Sequence, residues 1–169
     1  GRILEKNGID VVYTRTTDEY QTPFEKAKLA NESGADYFIS FHRNSSPSDN
    51  QYEGVEVLVY DKNGIKYDMA QNIVGALGEV GFRELGVKER PGLVVLRRTK
   101  MPALLIETGF LNTDKDNRFY DENREETARS IAEAIFGTLT EETVEAPLYY
   151  RVQTGAFGNR ENADRMLYQ

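Results

Sequence analysis

Ala103-Leu104-Leu105-Ile106-Glu107-Thr108-Gly109-Phe110 is the stretch that decides the fold of this chain. Four residues of strand-forming character run straight into an acid, and a glycine follows. A continuous apolar run of this length reads as a strand buried on both faces, as in a parallel sheet. Open α/β sheets hold their ligands at the carboxy ends of such strands, which is where Glu107 stands. A second run of the same kind, Tyr37-Phe38-Ile39-Ser40-Phe41-His42, closes on the only histidine of the sequence. One imidazole and one carboxylate at the same rim point to a metal centre with its general base.

Around these two runs, strands and helices alternate. Gly1 to Gly8 reads as the last turns of a helix closed by glycine, and Asp10 to Arg15 as a strand. Thr22-Pro23-Phe24-Glu25 is a helix start, with threonine at the N-cap, proline at N1 and glutamate at N3; Gly34 ends that helix. Gly54 to Tyr60 alternates as a strand. Met69, Ala70, Ile73, Val74 and Leu77 recur at helical spacing between about Lys66 and Val80. Leu93-Val94-Val95-Leu96 reads as a further short buried strand. Asn123-Arg124-Glu125-Glu126 caps a last helix, whose apolar stripe runs from Ala128 to Leu139.

The pattern predicts a three-layer α/β domain, a mixed, mostly parallel sheet flanked by helices on both faces. Its first helix has no strand before it, so we expect the first strand and part of that helix to lie upstream of Gly1. Residues 1–139 form the expected catalytic domain, 140–148 an acidic, proline-closed linker, and 149–169 the opening of a second domain. A tail of that size cannot bury a core of its own.

Bulk properties narrow the function. The net charge of −7 disfavours nucleic-acid binding through a basic surface, and docking to anionic membranes or wall polymers by charge alone. With no cysteine, disulfides and thiolate metal sites are excluded. No apolar stretch is long enough to span a bilayer.

Each candidate residue also has a plainer reading. His42 could be a strand-end histidine bonded to a backbone carbonyl. As a metal ligand it supplies one of the three protein donors that a catalytic zinc typically needs; Asp18, Glu19 and Glu53 are acids whose spacing does not select them. Glu107 could pair with Arg97 or Arg98 across neighbouring strands. Half desolvated at the edge of a sheet core, it would instead have its pKa raised toward neutrality and suit proton transfer. Arg97 and Arg98 could orient a substrate carbonyl or be solvated loop charges, and Asn31 and Asn44 fit loop ties.

Taken in order, Val12-Tyr13-Thr14-Arg15, Lys28-Leu29-Ala30-Asn31, Ala35 to Asn44, Gly54-Val55-Glu56-Val57, Val95-Leu96-Arg97 and Pro102 to Asn112 resemble the zinc-dependent N-acetylmuramoyl-L-alanine amidases of the type 3 family. The resemblance covers Gly1 to about Leu139. It implies hydrolysis of the amide between N-acetylmuramic acid and the first L-alanine of the peptidoglycan stem peptide. It implies zinc as cofactor, His42 in Ser40-Phe41-His42-Arg43-Asn44 as a zinc ligand, and Glu107 in Glu107-Thr108-Gly109-Phe110 as the catalytic glutamate. Asn44 and Arg97 are the candidate substrate contacts. The expected partner is peptidoglycan, met by an exported bacterial enzyme at the cell wall.

Two departures qualify the match. The family's first zinc histidine and the zinc-binding glutamate after it are not in this sequence and are expected upstream of Gly1, so residues 1–169 alone should bind zinc weakly and be inactive. Lys26 stands where the family usually has arginine, a change that weakens any bidentate contact. The tail, Tyr150 to Phe157 with Asn159 and Glu161-Asn162-Ala163, resembles the opening of a sporulation-related repeat domain, which binds peptidoglycan glycan strands lacking stem peptides. Two rival readings are a degenerate, non-catalytic peptidoglycan-binding protein and another zinc-dependent amide hydrolase or peptidase.

Overall fold

We describe a computed structural model covering residues 1–141 and the strand 151–154. In chain order the elements are α1 (Arg2–Lys6), β1 (Asp10–Tyr13), α2 (Pro23–Ser33), β2 (Tyr37–Asn44), β3 (Val55–Val59), α3 (Ile65–Val80), β4 (Glu84–Glu89), α4 (Val94–Arg97), β5 (Ala103–Phe110), α5 (Asp114–Glu122), α6 (Arg124–Glu141) and β6 (Arg151–Thr154). The strands form one sheet in the order β1-β6-β2-β5-β3-β4. All neighbours run parallel except β3 and β5, which are antiparallel. The sheet is mixed and mostly parallel, as the sequence predicts.

Side-chain alternation divides the core in two. Tyr37 and Ile39 of β2, Leu104 and Ile106 of β5, and Val55, Val57 and Val59 of β3 join Met69, Ile73 and Leu77 of α3 and Ile131, Ile135 and Leu139 of α6. On the other face Phe38, Ala103, Leu105 and Leu58 meet Ala30 of α2 and Val95 and Leu96 of α4. Helices therefore cover both faces. At the start of α2 the expected capping box is present: Thr22 Oγ1 accepts the Glu25 N–H at 3.2 Å, and the Glu25 carboxylate accepts the Thr22 N–H at 2.7 Å.

Three elements differ from the sequence reading. Leu93 to Leu96 is not a strand, because Val94–Arg97 closes as one helical turn, α4. The Arg98 N–H bonds the Val94 carbonyl at 2.8 Å, and Thr99 Oγ1 donates to the Val95 carbonyl at 2.8 Å. An apolar run this short has no period of its own, and burial of Val95 and Leu96 under the sheet is met equally by a helical turn. Strand β4 has little apolar signal in the sequence because it is a polar sheet edge, with Gly86 in the left-handed region (φ 80°) where the register slips between Val55 and Glu56. Helix α5 is nearly all polar and buries only Asp116 and Tyr120, one turn apart.

Of residues 149–169, expected to open a second domain, the described part is a strand, as anticipated. It pairs with β1 and β2 in this same sheet. Of the linker expected at 140–148, residues 140 and 141 continue α6, while 142–148 and the helix expected from Asn162 lie outside the described residues. Among the described residues no helix is long and apolar enough to cross a membrane.

Candidate active site

Three polar side chains form a row across the sheet. His42 on β2 is the register partner of Glu107 on β5, and Glu107 is in turn the partner of Glu56 on β3. Adjacent strands lie about 4.8 Å apart, so registered side chains on one face are immediate neighbours. All three share parity with Phe38, Leu105 and Leu58, and so stand on the α2–α4 face. Those two helices cover the apolar positions one step before the row. The row itself lies at the carboxy ends of β2 and β5, only half-covered at His42 and Glu107.

The end of β5 is shaped by Gly109. Its φ of +79° bends the strand, and the β2–β5 register shifts between His42–Glu107 and Asn44–Phe110. Beneath it Asp116 of α5, only 5% exposed, accepts the Phe110 N–H at 2.8 Å and the Gly54 N–H at 3.0 Å. One carboxylate thus ties the end of β5 to the start of β3, next to the row. Arg43 adds a second tie, donating to the carbonyls of Thr108 at 3.0 Å and Phe110 at 3.4 Å with its guanidinium over the Tyr120 ring.

Electrostatics separate the three members. Burial, helped by the Glu56 carboxylate, pushes the Glu107 pKa up to about 8. Its Oε2 atom is buried with no hydrogen-bond partner, and among the described residues Glu107 makes no ion pair. The alternative pairing with Arg97 or Arg98 is therefore not realised: Arg98 sits over the Phe24 ring, and Arg97 is exposed. Burial first, and then the positive charges of Lys26 and Arg15, lower the His42 pKa to about 4. The imidazole is thus held neutral, the form in which histidine binds a metal. One ring nitrogen, Nε2, lies 3.0 Å from the hydroxyl of fully buried Ser40.

The remaining candidates divide. Asn44 is beside the row, but its amide is already engaged: Nδ2 donates to Glu56 Oε1 at 3.0 Å, and Oδ1 accepts the Ser45 N–H at 2.8 Å. It ties β2 to β3, whereas Asn31 of α2 makes the kind of loop tie expected, donating to the Arg98 carbonyl and accepting the Lys100 N–H. Arg97 lines an open groove of about 380 Å³ with Tyr60, Lys66, Met101 and Ala103. That groove is at the amino end of β5, four residues before Glu107, or about 13 Å at the rise of a strand. Glu56 is the residue the sequence reading passed over. A glutamate set among the apolar residues Val55, Val57, Leu58 and Val59 was the available signal.

A strand-end carboxylate whose Oε2 has no hydrogen-bond partner thus stands beside an imidazole on an α/β sheet covered by helices on both faces. The chain belongs to the N-acetylmuramoyl-L-alanine amidase family, whose sequence model matches residues 1–137. It is 31% identical over 166 residues to a sporulation-specific N-acetylmuramoyl-L-alanine amidase of Bacillus subtilis (strain 168), covering 96% of this chain and 63% of that protein. It is also 31% identical over 169 residues to the N-acetylmuramoyl-L-alanine amidase CwlM of Bacillus licheniformis, covering 98% and 64%. The chain thus spans a little under two thirds of the length of these relatives. Among solved structures, an N-acetylmuramoyl-L-alanine amidase from Clostridium difficile 630 superposes with a TM-score of 0.74 at 30% identity, over 84% of this chain and 81% of that one. The catalytic domain of the amidase CwlV from Bacillus (Paenibacillus) polymyxa superposes at 0.73 with 28% identity, over 82% and 78%.

Proposed function

We propose that this chain is the catalytic part of a zinc-dependent amidase that cleaves the bond between N-acetylmuramic acid and L-alanine in peptidoglycan. The observation that carries the reading is the pairing of His42 and Glu107 in one register, with a buried carboxylate oxygen left unpartnered. A neutral imidazole and an orphaned carboxylate of raised proton affinity are what a nearby dication would satisfy. Their donor chemistry suits zinc. Among the described residues no three His, Asp or Glu side chains converge to hold a metal by themselves. The remaining donors are proposed to come from upstream sequence, with His42 as one ligand.

When bound, such an ion supplies a water of lowered pKa and a polarised amide carbonyl. In this reading Glu107 takes the proton of the attacking water on Oε2 and returns it to the leaving amine of L-alanine, with no covalent intermediate. Its raised proton affinity matches this work near neutral pH. Ser40 holds the His42 ring in place, and burial, aided by the charges of Lys26 and Arg15, keeps it from taking up a proton. Asn44 and Arg97 are weaker candidates for substrate contact, since one is engaged in a tie and the other faces a separate groove.

The reading extends to place and partner. The enzyme is proposed to be exported and to act on the cell wall, with a module after residue 148 that holds glycan strands and raises the local enzyme concentration there. The position between β1 and β2, taken here by β6, is proposed to receive the expected upstream strand in a longer protein. What supports this is that the position adjoins β2, the strand that carries His42. The rival, a non-catalytic wall-binding protein, draws on the lack of a complete donor set among the described residues.

Incubating the full-length protein with a purified muropeptide tests the choice. Free stem peptide and peptide-free disaccharide are the expected products. No turnover by the zinc-loaded protein would favour the rival, and cleavage inside the peptide would make it a peptidase.

A further inference from the structure

Glu56 is 5% exposed, and it is held from two sides: Asn44 Nδ2 donates to Oε1, and the Lys88 ammonium from β4 lies on Oε2. Lys88 is the register partner of Leu58, and so shares the face of Glu56 and Glu107. Two strand spacings, about 10 Å, and two residues along the sheet separate Lys88 from Glu107. A lysine and a glutamate side chain can together bridge that gap. Glu56 is the acid that pairs with Lys88 among the described residues, and Glu107 is the next acid of the same row.

We propose that Glu56 is a positioning residue that sequesters Lys88, so that the neighbouring Glu107 carboxylate stays unpaired and free to move a proton. A half-desolvated carboxylate within reach of a flexible ammonium will pair with it unless the ammonium is already taken. Pairing would turn Glu107 from a base into half of an ion pair and draw its side chain away from His42. The Glu56 carboxylate, register partner of Glu107 on β3, also adds to the raised proton affinity of Glu107. Asn44 completes the arrangement by fixing the other oxygen of Glu56, which leaves Oε2 to Lys88.

The inference rests on the proposed amidase reading, and a double substitution separates the two. Glu56→Gln keeps an acceptor for Asn44 but releases Lys88. In the zinc-loaded full-length enzyme, kcat on a soluble muropeptide should fall at least tenfold with KM little changed. Adding Lys88→Met to that variant removes the intruding cation and should recover most of the lost kcat, which a merely structural role for Glu56 would not allow. A second readout needs no turnover. Near neutral pH, Glu107→Gln should raise the melting temperature of the metal-free protein while Glu56 is present, by removing a carboxyl whose ionisation burial, and then the Glu56 charge, oppose. In the Glu56→Gln background it should lower the melting temperature, by breaking the new Lys88–Glu107 pair. The same sign in both backgrounds, or no recovery of kcat in the double variant, overturns the inference. An inactive wild type that still shows the change of sign would overturn the amidase reading and leave the sequestration standing.

Discussion

His42 and Glu107 carry opposite consequences for stability, and both can be measured on metal-free protein. Glu107 has a folded pKa of about 8 against an ordinary 4.5. Below 4.5 both folded and unfolded chains hold the proton, and burial of the neutral acid is tolerated. As pH climbs from 4.5 to 8 the unfolded chain releases the proton and the folded one keeps it, so stability falls across that window. His42 works at the acid end: its folded value of about 4 lies below the ordinary 6.5. As pH drops from 6.5 to 4 the unfolded chain gains a proton that the folded one refuses, and stability falls again. Thermal melts in chelator should therefore show Glu107→Gln flattening the loss on the alkaline side while leaving the acid side intact. An unchanged alkaline slope would mean that Glu107 is not the buried acid described. Gly109 gives a second residue-level expectation. At φ +79°, with Asp116 Cβ 3.0 Å from where a methyl group would stand, Gly109→Ala should cost about 1–3 kcal/mol in denaturant unfolding. A neutral result would remove the strained bend from the account.

Among the elements, the antiparallel pair β3–β5 holds the site together, and Asp116 of α5 is its clasp. Asp116→Ala leaves the buried N–H groups of Gly54 and Phe110 without an acceptor. Each orphaned donor costs about 1–3 kcal/mol. The melting temperature should drop clearly, and protection of those two amides from hydrogen exchange should fall before that of the α3 core. Equal loss everywhere would mean that the clasp has no local role. Elements also show what was legible in the chain and what was not. Strands β2 and β5 were plain because a buried strand writes itself as a continuous apolar run, and their ends named His42 and Glu107. Helix α2 was plain because its cap is local chemistry between Thr22 and Glu25. The turn at Val94–Arg97 was misread because burial alone does not choose between strand and helix over four residues. Strand β4 and helix α5 carry little apolar pattern, since one lies at the sheet edge and the other turns a polar face outward. The part played by Glu56 was hidden for another reason: it exists only through Lys88 and Asn44, which pairing across strands brings to it.

At the scale of the whole molecule, β6 fills the sheet position between β1 and β2. In the 169-residue chain Gln153 is the Cα partner of Val12 across a parallel pair, within the span a disulfide bridges. The chain has no cysteine, so Val12→Cys with Gln153→Cys gives a clean cross-link test. Oxidation should join the two in the 169-residue chain. In a chain extended upstream by the expected strand the cross-link should vanish; its persistence there would leave β6 as a resident of this sheet and argue against a separate module after residue 148.

The most direct test of the central claim is the product analysis of wild type against Glu107→Gln, both full length and shown by elemental analysis to carry equal zinc, on one purified disaccharide-peptide. The account predicts that wild type releases a peptide beginning with L-alanine and a peptide-free disaccharide, and that the variant makes the same products at least about 100-fold more slowly. Near-normal turnover by the zinc-loaded variant would contradict it.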